Sequence, residues 1–154
     1  MGLFGFGKSK IDKRKKDWIV ESADWCNKGN VLTKLGKNEE AIVCYSQVIR
    51  LNPEDLMAWS NKGNVLTKLG KNEEAVECYN QVIRFNSKDS DAWFNRGNSL
   101  ANLKKFEEAI TCFDKVIEKN PEYPSVLRYK GMSLKKLGKG EESEHYFTKD
   151  KKLL

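Results

Sequence analysis

The chain has 154 residues, 32% of them charged and 39% apolar, with 28 Lys and Arg against 22 Asp and Glu for a formal net charge of +6. That is room for one compact domain or one short solenoid with a buried core, and no apolar run approaches the length of a membrane span. Half of the positive excess lies before residue 22, where Lys8, Lys10, Lys13, Arg14, Lys15 and Lys16 face Asp12, Asp17 and Glu21. The remainder is only mildly basic and lacks the one-sided concentration of cations that marks a nucleic-acid surface, so no DNA partner is expected.

The chain opens with MGLFGFGKSK, whose three glycines disfavour stable structure. Phe6 stands where an N-myristoylation signal needs Ser or Thr. Residues 1–16 are expected to form a flexible basic tail. A weaker alternative makes them an adaptor for an anionic surface, with Leu3, Phe4 and Phe6 dipping into a membrane while Lys8–Lys16 meet headgroups or RNA. From Ile11 the pattern turns helical, with Trp18, Ser22, Trp25 and Gly29 at i, i+4, i+7 and i+11. The first helix is expected to start between Asp12 and Asp17, with Trp18 and Ile19 covering the open end of a solenoid.

From residue 22 onward the chain is a repeat. NKGNVLTKLGKNEEA occurs unchanged as Asn27–Ala41 and Asn61–Ala75, thirty-four positions apart, and weaker copies start at Asn95 and Tyr129. Each unit reads helix, short turn, helix. In the first, Trp25, Gly29 and Leu32 form one apolar stripe, and Leu35-Gly36 ends the helix with a residue that tolerates positive φ. Glu39 and Glu40 open the second helix at the positive end of its dipole, and Ala41, Ile42, Tyr45, Val48 and Ile49 give its apolar stripe. Asn52-Pro53 stops it. Trp59, Gly63, Leu66, Ala75, Tyr79 and Val82 repeat the pattern, as do Trp93, Gly97, Leu100, Ala109, Phe113 and Val116. The tryptophans are expected in the core. Gly29 and Ala41 lack bulk where the paired helices cross, so their backbones can approach.

The boundaries fall near 22–55, 56–89, 90–123 and 124–154. Because no unit can bury both faces alone, stacking must supply the core. The last unit reads as a cap facing water, with Leu127 for the tryptophan, Ser143 for the alanine and Asp150 for the valine.

Spacing and residue types over 22–154 resemble the tetratricopeptide repeat, W-x2-L-G-x2-Y, then A-x3-F, then P, in thirty-four residues. Trp25, Gly29, Ala41, Tyr45 and Pro53 carry the resemblance first, then Trp59, Gly63, Ala75 and Tyr79, then Trp93, Gly97, Ala109, Phe113 and Pro121. Lys28, Lys62 and Arg96 replace the leucine, and Leu32, Leu66 and Leu100 the tyrosine. Ser87 replaces the second proline, so a looser turn is expected there. The resemblance implies an all-α, right-handed superhelical solenoid of antiparallel helix pairs. Its first helices would line a concave groove that binds a peptide or a partner segment, as a non-catalytic protein-interaction scaffold.

On the side opposite the tryptophan stripe the groove would present Asn27, Asn30 and Lys34, then Asn61, Asn64 and Lys68, then Asn95, Asn98 and Asn102. These are expected as two parallel rows, Asn27–Asn61–Asn95 and Asn30–Asn64–Asn98. Each carboxamide matches the C=O and N–H of a peptide unit, so the rows would grip the backbone of an extended segment, resembling the asparagine ladders of some family members. The amides would equally suit capping, hydration or contact with neighbouring helices. Family members that clamp a terminal carboxylate place three cations where this chain has Cys26, Asp91 and Asn95, so that activity is not expected although Asn30 and Asn61 match.

No catalytic constellation accompanies the repeat. His145 is the only histidine, and the Glu-Glu pairs recur at each second-helix start. Cys44, Cys78 and Cys112 are one residue of successive units, farther apart than the ~4.4–6.8 Å a disulfide spans. Reduced thiols, a cytoplasmic location, and no cofactor or metal are the expectation.

Overall fold

The computed structural model describes residues 6–151, with side chains from Asp17 onward. Eight helices follow one another: α1 (Phe6–Lys34), α2 (Asn38–Leu51), α3 (Leu56–Lys68), α4 (Asn72–Phe85), α5 (Ser90–Asn102), α6 (Phe106–Lys119), α7 (Val126–Lys136) and α8 (Gly140–Lys151), with no strand among the described residues. Odd and even helices pair within a unit, each even helix packs on the next odd one, and α3, α5 and α7 also touch in series. That connectivity makes a superhelical solenoid whose first helices share one face.

Within each unit a glycine meets an aromatic ring. A Cβ at Gly63 would stand 2.8 Å from Cε1 of Tyr79, and one at Gly97 would stand 2.7 Å from Cε1 of Phe113. The bare glycine backbone therefore seats the ring of the second helix, a closer fit than the expected glycine–alanine crossing. Ala41, Tyr45 and Val48 are fully buried, as are their counterparts Ala75, Tyr79 and Val82.

The turn inside each unit is a hydrogen-bonded helix stop. Lys37 N–H donates to Leu32 O at 2.9 Å and Gly36 N–H to Thr33 O at 3.1 Å, with φ +74° at Gly36. The third unit makes the same bonds, Lys105 to Leu100 and Lys104 to Ala101, both at 2.9 Å. There the left-handed position is held by a lysine, Lys104, at φ +61°.

At the first two junctions between units an aspartate caps the next helix, while α7 starts at Ser125 without a side-chain cap. Asp55 accepts from Ala58 N–H at 2.8 Å and Asp89 from Ala92 N–H at 2.9 Å. The Ser87 turn is not looser than the Pro53 turn. Asn52 and Asn86 each accept, on Oδ1, from the backbone N–H two residues on at 3.2 Å, and the Trp59 and Trp93 indoles donate to Pro53 O at 2.8 Å and Ser87 O at 3.0 Å. These side-chain bonds close both turns alike, so the proline ring is not needed.

Four further expectations are corrected. Helix α1 is continuous from Phe6, ahead of the Asp12–Asp17 start, since no proline interrupts a run rich in good helix formers. Trp25, Trp59 and Trp93 are half-buried rather than core, each packing one side on the interior with a cation over its ring. Those cations are Lys28 at 5.2 Å, Lys62 at 6.0 Å and Arg96 at 5.8 Å, the residues that stand for the family's leucine. Trp18 and Ile19 do not cover the open end: they line a cleft of about 380 Å³ with Cys26, Asn27 and Asp55. Val31 and Leu35 stay exposed, although their counterparts Val65 and Leu69 pack on the first unit. Asp150 does not face water; it is buried and paired with Arg128 Nε at 3.1 Å. Lys130 is likewise buried, against Asp114 and Tyr146, so polar pairs close the inner side of the last unit while the outer side of α8 faces water as expected.

Candidate functional site

The shared face of the odd helices carries the carboxamides, because Asn27, Asn30, Lys34 and their thirty-four-residue counterparts fall on the helix side away from the packed stripe. Asn27, Asn64 and Asn102 are exposed, while Asn30, Asn61, Asn95 and Asn98 are half-buried. The two rows are joined to each other diagonally. Asn61 Nδ2 donates to Asn30 Oδ1 at 3.3 Å, and Asn95 Nδ2 donates to Asn64 Oδ1 at 3.3 Å.

The same oxygens accept a second bond from below. Tyr45 OH donates to Asn30 Oδ1 and Tyr79 OH to Asn64 Oδ1, each at 2.8 Å. Thr33 lies 3.1 Å from the Tyr45 hydroxyl, and Thr67 lies 3.3 Å from that of Tyr79 and 3.1 Å from Ser99. Asn30 and Asn64 are thereby tied into the scaffold through both lone-pair directions of their oxygens. Asn61 and Asn95 spend one N–H each on them, keeping a second N–H and a carbonyl oxygen for the groove.

This network is where sequence reasoning fell short. The tyrosines read as core, and they are core; their hydroxyls additionally reach the groove wall. The detectable signal was the change from Tyr45 and Tyr79 to Phe113, which removes the hydroxyl that would have held Asn98. Lys34 and Lys68 line a cleft of about 370 Å³ with Asn30, Asn61 and Asn64, between α1 and α3. Asn98 and Asn102 line the corresponding cleft between α5 and α7, and Asn102 Nδ2 also donates to Asn72 Oδ1 at 3.2 Å.

Burial keeps the ionisable groups beneath the groove neutral. It pushes the Cys78 thiol up to about 11 and the Tyr79 phenol up to about 12, and it raises Tyr45 and Cys26 above their ordinary values. Asp91 does not stand free on the wall; it accepts from Tyr123 OH at 2.6 Å. No group of three or more His, Cys, Asp or Glu among the described residues is placed to hold a metal ion, and no described helix is long and apolar enough to cross a membrane. The side chains of Lys8, Lys10, Lys13, Arg14, Lys15 and Lys16, with the expected anionic-surface contact, lie outside the described residues. The wall thus offers a set of fixed donors and acceptors over neutral ground.

Comparison with known proteins agrees with the repeat pattern. The sequence profile of the family described as "Tetratricopeptide repeat" matches residues 90–123, and that described as "TPR repeat" matches 29–70 and 63–104. No curated protein matches the sequence. A crystal structure of MamA superposes with a TM-score of 0.83 at 18% identity, covering 99% of this chain and 96% of that one. MamA 41-end from Desulfovibrio magneticus RS-1 gives 0.82 at 23% identity over 86% of this chain and 75% of that one. The first TPR of Spaghetti (RPAP3), bound to the HSP90 peptide SRMEEVD, gives 0.73 at 26% identity over 76% of this chain and 93% of that one.

Proposed function

Since the chain belongs to the tetratricopeptide repeat family, we propose that it is a non-catalytic interaction module that grips an extended segment of another protein in its concave groove. The observation that carries this reading is the diagonal pairing of Asn61 with Asn30 and of Asn95 with Asn64. It fixes two carboxamides on the wall at a cost already met by the fold, each with an acceptor and a donor left for a peptide unit. Pre-fixed groups lose little entropy on binding, so hydrogen bonds of ~0.5–1.5 kcal/mol each can add along a segment.

A solved structure of the same repeat type, bound to a peptide, supports a peptide or protein partner for this chain. The mode of capture differs in this reading. Cys26, Asp91 and Asn95 stand where a terminal-carboxylate clamp needs cations, so backbone recognition within a segment is favoured over recognition of its end. Neutral, reduced thiols under the wall fit a cytoplasmic location.

The test is binding of peptides selected from a random library on the immobilised chain. Replacing Asn61 and Asn95 together by Ala is expected to weaken such peptides at least tenfold, while Asn30 and Asn64 keep their tyrosine partners and the thermal unfolding curve stays in place. Unchanged affinity in the double variant removes the reading.

A further inference from the structure

The cleft between α5 and α7 is the cleft between α1 and α3 repeated sixty-eight positions later with part of its polar lining exchanged. Thr33, Asn61 and Asn64 of the earlier cleft become Ala101, Tyr129 and Met132, and Phe106 joins the lining, while Asn98, Asn102 and Ser133 keep part of it polar. The Thr33 and Tyr45 hydroxyls and the Asn61 amide of the network around Asn30 have no counterpart around Asn98 in the second. The later cleft is also larger, about 530 Å³ against about 370 Å³. Tyr129 forms a fixed wall, packed edge-on against Phe94 at 5.0 Å, and Met132, one turn further along α7, is 51% exposed beside it. A flexible thioether beside a rigid ring suits an apolar side chain whose exact shape varies.

The rim is cationic. Lys136 lines it from α7 and Lys104 from the α5–α6 turn, and neither is among the ion pairs formed by the described residues. Lys104 occupies the left-handed position that Gly36, Gly70 and Gly138 fill in the other three units. A side chain at φ +61° is strained where glycine would be relaxed, and strain of this kind collects at ligand clamps. The one unit that replaces its glycine is the unit beside the apolar cleft.

We propose that this cleft is a side-chain pocket that takes one large apolar residue, aromatic or long aliphatic, from an acidic partner segment, with Asp or Glu on either side of that residue held by Lys104 and Lys136. The proposal rests on the groove reading above and adds what the partner must carry. Burial of the anchor supplies affinity, and the two cations reject basic segments and favour acidic ones.

Parallel selections from a random twelve-residue phage-displayed library, on the full chain and on its Met132→Glu variant, test it. Peptides enriched on the native chain are expected to share one Phe, Tyr, Leu or Ile flanked within two positions by Asp or Glu. A fluorescein-labelled synthetic copy is expected to lose at least tenfold in affinity on Met132→Glu, and about fivefold on a Lys104→Gly, Lys136→Ala double variant. Met132 is half-exposed and Lys104→Gly relieves strain, so helical circular dichroism and the unfolding midpoint are expected to show intact folds. Enriched peptides without that pattern, or equal affinity for all three proteins, overturn the pocket. If such peptides still weaken on the Asn61→Ala, Asn95→Ala variant, the groove stands and only the pocket falls; if no enriched peptide responds to either set of substitutions, both fall.

Discussion

The Tyr79 hydroxyl donates to Asn64 Oδ1 at 2.8 Å, joining a ring buried between two helices to an amide on the groove wall. That bond divides the asparagines into two kinds. Asn64→Ala strips the buried hydroxyl of this acceptor and leaves it Thr67 at 3.3 Å, so a loss of about 1–2 kcal/mol is expected in urea unfolding. Asn61→Ala removes a donor at the half-buried surface and leaves Asn30 its bond from Tyr45, so a change within about 0.5 kcal/mol is expected. The reverse order of losses would show the tyrosine bond to be idle.

The same buried ring sets a limit at high pH. Burial pushes the Tyr79 phenol up to about 12 from 10.0, and the Cys78 thiol up to about 11 from 9.0. Both groups have folded values above their unfolded ones, so the neutral forms stabilise the fold fully below those unfolded values. The contribution is lost as the unfolded chain ionises, between about pH 9 and 11 for Cys78 and between about pH 10 and 12 for Tyr79. Each shift corresponds to about 2–3 kcal/mol. Urea midpoints measured across that range are expected to fall steeply in the native chain and more gently in Tyr79→Phe. Parallel curves would assign the alkaline loss to other groups.

The fold was legible because it is written in spacing. Trp25, Gly29, Ala41 and Tyr45 recur at a fixed period, and a period survives even where Lys28 or Ser87 departs from the family pattern. The candidate site was legible only as far as helix phase carries it. Phase places Asn61 and Asn30 on one face, but which amide bonds which depends on the stagger between neighbouring helices, and no residue announces that stagger. The burial of Asp150 was hidden for a similar reason: its partner Arg128 lies one helix back, and pairing across helices leaves no mark in the local pattern. Half-burial of the tryptophans could have been suspected from Lys28, Lys62 and Arg96, three cations at one repeat position that each reach a ring.

Close approach makes the helix-pair glycines intolerant of one methyl group. A Cβ at Gly63 would meet Tyr79 Cε1 at 2.8 Å and Cys78 Cβ at 3.3 Å, inside a fully packed unit. Gly63→Ala is expected to cost about 1–3 kcal/mol, since the ring has no free volume to turn into. Pairing it with Tyr79→Leu, which withdraws the ring edge, is expected to recover part of the glycine's cost in a double-mutant cycle. Strictly additive losses would mean that the methyl group clashes elsewhere.

The turn glycines are constrained by conformation instead of by space, and this allows one substitution to raise stability. A Cβ at Gly70 would meet nothing within 4 Å, yet φ there is +75°. Lys104 holds the equivalent place at φ +61°, so the third unit already contains the strained form of the same turn. A left-handed residue with a side chain costs on the order of 1 kcal/mol over glycine, partly offset by the greater freedom glycine gains on unfolding. Lys104→Gly is therefore expected to stabilise the chain by about 0.5–1 kcal/mol, and Gly70→Lys to destabilise it by a similar amount, both read from urea midpoints at constant slope. The hydrogen bonds from residues 104 and 105 back to Ala101 and Leu100 involve backbone groups alone, so neither exchange removes one. If Lys104→Gly instead lowered the midpoint, the lysine side chain would be contributing contacts worth more than its strain, and the turn would be a structural post before it is a binding one.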